Sequence, residues 1–195
     1  MIEFEALQWG SAGAAANRLN GTLARGTCTI LAASDDAARA ALAVIAGRRP
    51  PTSGRIRVDG HDVTGNALAR RRLVFCTDDL PSVPVSVATY LALASSGRTA
   101  SAPASRLALQ VSALPATASV DSLDPDARQT LGLAAALASG APLLLVHAPF
   151  ASGSPADHAR RRALLSEARH EGRTLLLTGL TRQDPLADAV LEAGR

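Results

Sequence analysis

The stretch LAASDDAARAALAVIAGRRPPTSGRIRVDG, residues 31–60, has the layout of a nucleotide-binding turn without its chemistry. A short apolar strand enters a turn, an alanine-rich helix follows, and a Pro-Pro-Thr-Ser-Gly loop leads into a second strand. A phosphate loop needs glycines that let backbone amides reach the phosphate oxygens, and a lysine that neutralises those oxygens. This turn instead has Asp35, Asp36, Ala37 and Ala38.

Composition indicates an ordinary globular domain. The 195 residues are 47% hydrophobic and 19% charged, which is enough to bury a sizeable core in one domain. The net charge is +3, but only 3% of the residues are aromatic and able to stack on bases, so we expect no nucleic-acid partner. All 20 basic residues are arginine, and the chain contains no lysine.

The sequence predicts a cytoplasmic protein. Its apolar runs are shorter than the roughly 20 residues that cross a bilayer. The first ten residues, MIEFEALQWG, carry acids and no basic region, unlike a secretory signal. Cys28 and Cys76 lie alone in apolar, strand-like runs, so we expect free thiols and no zinc site.

Apolar strand-like runs alternate with helical patterns along the chain, which predicts an α/β fold with a mainly parallel sheet. The strand candidates are 2–4, 27–33, 55–58, 73–76, 143–146 and 174–178, and the helix candidates are 37–46, 87–113 (broken), 125–139, 156–171 and 185–193. We expect one domain over 1–195, with a core of about 1–86 and 127–195. The interval of about 87–126, interrupted by Pro103 and Pro115, is predicted to be a reduced helical lobe.

The acidic turn favours a capped helix over a phosphate site. Ser34, Asp35 and Asp36 are residue types that accept hydrogen bonds from the free amides of a first helical turn. Two like unit charges about 4 Å apart repel by roughly 4 kcal/mol at an effective dielectric near 20. Carboxylates here would therefore oppose a triphosphate, while the simplest interpretation is a well-capped helix start.

The segment AGRRPPTSGRIRVDGHDVT, residues 46–64, resembles the region after the phosphate-loop helix in nucleotide-binding subunits of ABC transporters. The order of segments is similar over nearly the whole chain, which implies a P-loop NTPase-like ABC ATPase core with an N-terminal β-subdomain. Aligned from Gly47, the family's phosphate loop falls on residues 32–40, beginning at Ala32. Its lysine position then holds Ala38, and its magnesium-binding hydroxyl position holds Arg39.

The remaining landmarks of the resemblance are also substituted. Thr77 or Asp78 stands for the family's glutamine, and LDPDA at residues 123–127 stands for its LSGGQ signature. His147 replaces the magnesium-associated aspartate, and Ala148 replaces the general-base glutamate. A methyl group cannot take a proton from water. His147 is a metal ligand or, more simply, a structural residue.

Two further positions complete the comparison with the family. Gly179 occupies the position of the family's switch histidine. Ser154, in the turn that follows Ala148, occupies the position of a family aspartate. Trp9 is the candidate for the aromatic residue that stacks on adenine, or else it belongs to the core.

Together the substitutions predict a non-catalytic pseudo-ATPase that scaffolds or regulates a membrane-associated complex, with no nucleotide or metal cofactor. The alternative is a divergent transporter subunit that binds ATP and Mg²⁺ weakly. By resemblance, the partners are an integral membrane subunit at the inner face of the cell membrane, an intact ABC ATPase subunit, or a second copy of the chain.

The groove that receives the membrane subunit in the family maps to a short segment of this chain. Its predicted contact residues are Asp78, Leu80, Val83, Tyr90 and Leu91. The other interpretation is that they are ordinary core or lobe residues.

A third hypothesis is a cation-binding site made of the acids that the family fold would gather at one face. Those acids are Asp35, Asp36, Asp78, Asp124 and Asp126.

Overall fold

The computed structural model describes residues 1–10, 17–77, 80, 83–96 and 102–194. The strands are β1 (Ile2–Trp9), β2 (Asn17–Leu23), β3 (Cys28–Ala32), β4 (Ser53–Val58), β5 (His61–Asp62), β6 (Val74–Cys76), β7 (Leu143–His147), β8 (Thr174–Thr178) and β9 (Ala189–Gly194). The helices are α1 (Asp35–Ile45), α2 (Ala67–Leu73), α3 (Val87–Ser96), α4 (Ala102–Ser112), α5 (Pro125–Ser139) and α6 (Pro155–His170), with a 3₁₀ turn at Val120–Ser122.

The strands form one sheet with an antiparallel half and a parallel half, in the order β5-β4-β1-β2-β9-β3-β8-β7-β6. Strands β3, β6, β7 and β8 pair in parallel, and β1, β2, β4 and β5 pair antiparallel, whereas β9 pairs in parallel with β3 and antiparallel with β2. The predicted α/β class is confirmed, although the antiparallel half is larger than expected.

The central strands β3, β7 and β8 of the parallel half are buried on both faces, as their uninterrupted apolar residues predict. Along β7, Leu143 and Leu145 pack with α1, whereas Leu144 and Val146 pack with α5 and α6. Helices α3 and α4 lie against α5 on the second face. Because the carboxyl ends of β3, β6, β7 and β8 meet at one edge of the sheet, the turns that follow them are brought together there.

The predicted helix over 185–193 is wrong, because this segment contains strand β9. It pairs in parallel with β3, through contacts such as Ile30 with Val190, and antiparallel with β2, through Leu19 with Ala193. Its alanines and leucine have no strong preference for a strand, so pairing with two neighbours overrides the local propensity. Strand β9 thereby joins the two halves of the sheet.

The sequence patterns predict neither strand β2 nor helix α2. Strand β2 is mostly polar and buries Leu19 and Leu23, a spacing that does not distinguish a strand from a helix. Helix α2 is only seven residues long and carries three consecutive arginines. No helix in the described ranges combines the length and the apolar character that a membrane crossing requires.

Candidate functional site

The turn between β3 and α1 packs its alanines and exposes its acids. Ala37 and Ala38 are buried, while Asp35 and Asp36 lie in the exposed first turn of α1. Ser34 is the N-cap residue, but within the described residues its side chain makes no capping hydrogen bond. The predicted side-chain capping by Ser34 is therefore wrong, although Ser34 is the N-cap residue and its carbonyl accepts the first helical hydrogen bond, from the Ala38 amide at 2.8 Å.

Asp35 forms a polar contact across the edge of the sheet. Its Oδ2 accepts a hydrogen bond from Arg39 Nε at 3.1 Å, and its Oδ1 lies 2.9 Å from Nε2 of His147, at the end of β7. This second contact is short but poorly aligned for a hydrogen bond. The Asp35 carboxylate therefore faces two nitrogen groups that come from different elements.

His147 also contacts a buried residue of the neighbouring strand. Its side chain is 5% exposed, and its Nδ1 lies 2.7 Å from Oγ1 of the buried Thr178 on β8. The hydrogen bond from Arg39, and then the nearby imidazole of His147, hold the pKa of Asp35 below its ordinary value of 3.8. Asp35 is accordingly an anion at neutral pH, with Arg39 and His147 beside it.

Trp9 is a core residue rather than an open stacking surface. Its ring is buried, and its Nε1 donates a hydrogen bond to the Ala37 carbonyl at 3.0 Å. Trp9 was expected either to stack on adenine or to belong to the core. It belongs to the core, because no exposed ring face is left for adenine. The indole instead supports the start of α1.

Ala148 and Gly179 pack tightly where the family has its general base and its switch histidine. Ala148 has a φ of 41°, and its amide donates to the Thr178 carbonyl at 2.9 Å. Gly179 has a φ of 71°, and a Cβ placed on it would lie 2.8 Å from the Ala148 Cβ. A larger side chain at position 179 would require Ala148 to move.

A cavity of about 410 Å³ opens beside His147 at the carboxyl edge of the sheet. Its charged lining residues are Arg39 and Arg128, and Gln129 and Thr77 add polar groups. Gln129 Nε2 donates to the Ala148 carbonyl at 2.9 Å, whereas its buried Oε1 accepts nothing from the part of the chain that the structure describes. Among the described lining residues there is no acid, so this part of the chain does not surround the cavity with carboxylates.

The predicted acidic cation site is also wrong for the acids that can be located. Asp124 caps α5 by accepting from the Ala127 amide at 2.8 Å, and Asp126 pairs with Arg161 at 2.9 Å. Asp78 lies outside the described residues. Across the described ranges, no three residues of the types that bind metals are grouped together.

The predicted partner groove is only partly a surface. Leu80, Val83 and Tyr90 are half-buried and pack on the core, and burial raises the pKa of Tyr90. Leu91 is buried in the core, so its prediction as a surface anchor is wrong. Asp78, the fifth predicted contact, lies outside the described residues.

Arg161 is the structural residue that sequence reasoning missed. Its side chain is 0% exposed, and it donates to Asp126 Oδ1 and to the carbonyls of Pro149 and Ser152, among other acceptors. It is the middle residue of a run of three arginines, and arginine is rarely fully buried. The available signal was spacing, because Arg161 shares one helical face with the buried residues Leu164, Leu165 and Ala168.

Comparison with known proteins adds sequence relatives, although no family model matches. The taurine import ATP-binding protein TauB of Burkholderia thailandensis is 38% identical over 113 residues, which cover 55% of this chain and 43% of that protein. The thiamine import ATP-binding protein ThiQ of Rhizobium meliloti is 32% identical over 163 residues, 76% of this chain and 66% of that protein. The chain thus spans 43% and 66% of the lengths of these two relatives.

Solved structures give the fold more completely. A putative ABC transporter ATP-binding protein from Pyrococcus furiosus aligns with a TM-score of 0.81 at 18% identity, over 98% of this chain and 96% of that one. A dimeric bacterial ABC transporter cassette aligns with a TM-score of 0.78 at 17% identity, over 100% and 97%. At these identities the structural agreement establishes the fold.

Proposed function

Because this chain is an ATP-binding cassette domain in its fold, we propose that it acts as a non-catalytic subunit of a membrane-associated, transporter-like complex. It would scaffold or regulate that complex through contacts with other proteins, without a nucleotide or metal cofactor. The expected partners are an integral membrane subunit at the inner face of the cell membrane, an intact ABC ATPase subunit or a second copy. The names of its sequence relatives, which are import ATP-binding proteins, favour a role in transport.

The contact between Asp35, Arg39 and His147 carries this proposal. Arg39 lies one turn after Asp35 in α1, and Asp35 already engages it at 3.1 Å. His147 faces the same carboxylate at 2.9 Å. A bound phosphate would have to replace Asp35 at both groups while remaining close to its negative charge. The protein's own carboxylate therefore competes with any anionic ligand at this turn.

The surrounding residues support the absence of turnover. No lysine exists anywhere in the chain to neutralise the terminal phosphates. Ala148 has a methyl group where a proton acceptor would be needed. At position 179 the tight contact with Ala148 leaves no room for a histidine without rearrangement.

A thermal-unfolding titration with Mg-ATP tests the proposal. A ligand at a hundred times its dissociation constant stabilises the folded state by about 2.7 kcal/mol. We expect no increase in the unfolding midpoint up to millimolar Mg-ATP, and no phosphate release above the rate without protein. An intact ABC ATPase subunit, titrated in parallel, is the positive control. A saturable increase, or phosphate release proportional to protein concentration, would contradict the proposal.

A second candidate function is weak ATP binding by a divergent geometry. The cavity of about 410 Å³ and the arginines in its wall, Arg39 and Arg128, favour it, as do the ATP-binding names of the relatives. If this candidate is correct, Mg-ATP stabilises the wild-type chain, and R39A removes that stabilisation. R106A, at an exposed arginine outside the cavity lining, is the matched control and should retain it.

A further inference from the structure

Four exposed arginines and one exposed leucine lie on the part of the molecule formed by the turn after α1 and by helix α2. They are Arg48, Arg49, Leu68, Arg71 and Arg72, and we call them the arginine patch. None of them lines the cavity beside His147. The function proposed above gives them no role.

Close contact between backbone segments brings the patch together. Gly47 has a φ of 73°, and a Cβ placed on it would lie 2.7 Å from the Ala67 carbonyl oxygen. Arg71 Nε donates to the Gly47 carbonyl at 3.2 Å. The turn that carries Arg48 and Arg49 is therefore held against the first residue of α2.

Helix α2 buries an arginine and exposes a leucine, which is the reverse of an ordinary surface helix. Arg70 is buried and donates from Nη1 to the Val63 carbonyl at 2.6 Å, whereas Leu68 is 61% exposed. Arg71 and Arg72 follow Leu68 by three and four residues, so all three side chains share one helical face. That face presents an apolar group and two cations to solvent.

The segments that carry the patch are rich in arginine. Residues 37–58 and 63–77 contain eight arginines and no aspartate or glutamate. Three of the eight, Arg39, Arg55 and Arg57, pair with acids outside these stretches, and Arg70 is buried, so the four patch arginines are the other exposed ones. A surface of this kind attracts an anionic partner.

We propose that the arginine patch docks an acidic, amphipathic segment of a partner protein. Carboxylates of that segment would pair with the guanidinium groups, whose planar fork matches a carboxylate in two hydrogen bonds. An apolar side chain of the same segment would cover Leu68. A lipid surface fits less well, because one leucine offers too little apolar area for insertion. The inference rests on the proposed function only in that the chain works through a protein partner.

The test is a titration with a synthetic peptide, followed by fluorescence anisotropy. The probe is a labelled 15-residue peptide with glutamates and leucines at helical spacing, and the reference is a scrambled peptide of the same composition. The test variants are R49Q/R72Q and L68Q; Arg48 and Arg71 stay unchanged because both also interact within the protein. The controls are R18Q/R106Q, with the same charge change at exposed sites elsewhere, and L93Q, at a leucine that is 59% exposed.

We expect the helical peptide to bind the wild-type chain more tightly than the scrambled one. The R49Q/R72Q pair should weaken binding by about tenfold, and L68Q by about threefold, whereas both controls should change it less than about twofold. Added salt should weaken wild-type binding more than R49Q/R72Q binding.

Three results would overturn the inference. They are equal binding of the two peptides, equal losses in test and control variants, and binding to vesicles with 30% phosphatidylserine through the same residues without binding to the peptide. All titrations omit nucleotide, so their failure leaves the Mg-ATP result standing. Mg-ATP binding would contradict the proposed function and leave the peptide result unaffected.

Discussion

Two aspartates of this protein pair with arginines in very different surroundings. Asp126 pairs with Arg161, which is 0% exposed and also donates to the carbonyls of Pro149 and Ser152. Asp35, by contrast, is 65% exposed and meets Arg39 and His147 at the edge of the sheet. The Arg161 contacts join α5, α6 and the turn after β7, whereas the Asp35 contacts lie at the rim of the cavity.

This difference separates stability from function. A buried cation whose donors are all used is costly to disturb, because its partners are left without hydrogen bonds. An exposed ion pair contributes little to folding. Asp35 is therefore open to substitution without loss of the fold, and its effect on anion binding can be measured by itself.

Removing the Arg161 side chain should have the largest effect on stability. R161A removes the hydrogen bonds to the Asp126 carboxylate and to several carbonyls and opens a cavity beneath α6, so we expect a loss of about 3 to 5 kcal/mol in the free energy of unfolding. Urea denaturation followed by circular dichroism measures it. The neighbouring R160A, which breaks an exposed pair with Asp157, should cost less than about 1 kcal/mol. Equal losses in the two variants would remove the basis of the comparison.

Alanine substitutions at two glycines should have an intermediate effect on stability, and they test the contrast between packed and open surroundings. Gly172 and Gly179 have φ values of 76° and 71°, so alanine at each bears a similar backbone cost of about 1 kcal/mol. A Cβ at Gly172 meets nothing within 4 Å, whereas one at Gly179 lies 2.8 Å from Ala148. G179A should therefore cost about 1 kcal/mol more than G172A in thermal unfolding. Identical unfolding midpoints for the two variants would show that Ala148 moves aside without a cost in stability.

The smallest effect is expected at Asp35, and it depends on pH. The pKa of Asp35 is lower in the folded state than its ordinary value of 3.8, so any stabilisation by its charge is present above 3.8 and lost as pH falls through the folded-state pKa. The difference in stability between wild type and D35N should be small at pH 7 and should vanish in acid. A difference that grows as the pH is lowered would contradict the assigned direction.

The sequence allows much of the fold to be predicted because its core strands are apolar throughout. Strand β8 is observed over Thr174–Thr178, as expected from TLLLT, and helix α5 begins at Pro125 and ends at Ser139, as predicted. Both have strong local signals, which are a continuous apolar run and a proline at the first helical turn. Segments without such signals, β2 and β9, depend on strand pairing that no local pattern reveals.

The site is harder to predict because its contacts join distant positions. Asp35 and His147 are recognisable as substituted motif positions, but their 2.9 Å contact arises only when β3 and β7 end at the same edge. Acidic residues at a turn suggested an acidic pocket, whereas side-chain direction places Arg39 and Arg128 in the cavity wall. Side-chain direction at the end of a strand depends on packing, which local sequence does not specify.

The most direct measurement of the central claim is equilibrium dialysis of the wild-type chain against radiolabelled ATP with Mg²⁺. Asp35 competes with the ATP phosphates for Arg39 and His147, and the chain has no lysine that could bind those phosphates instead. We therefore expect the ATP concentration to stay equal on the two sides of the membrane up to 1 mM protein. Retention of ATP on the protein side, saturating at one molecule per chain and abolished by R39A, would contradict the claim.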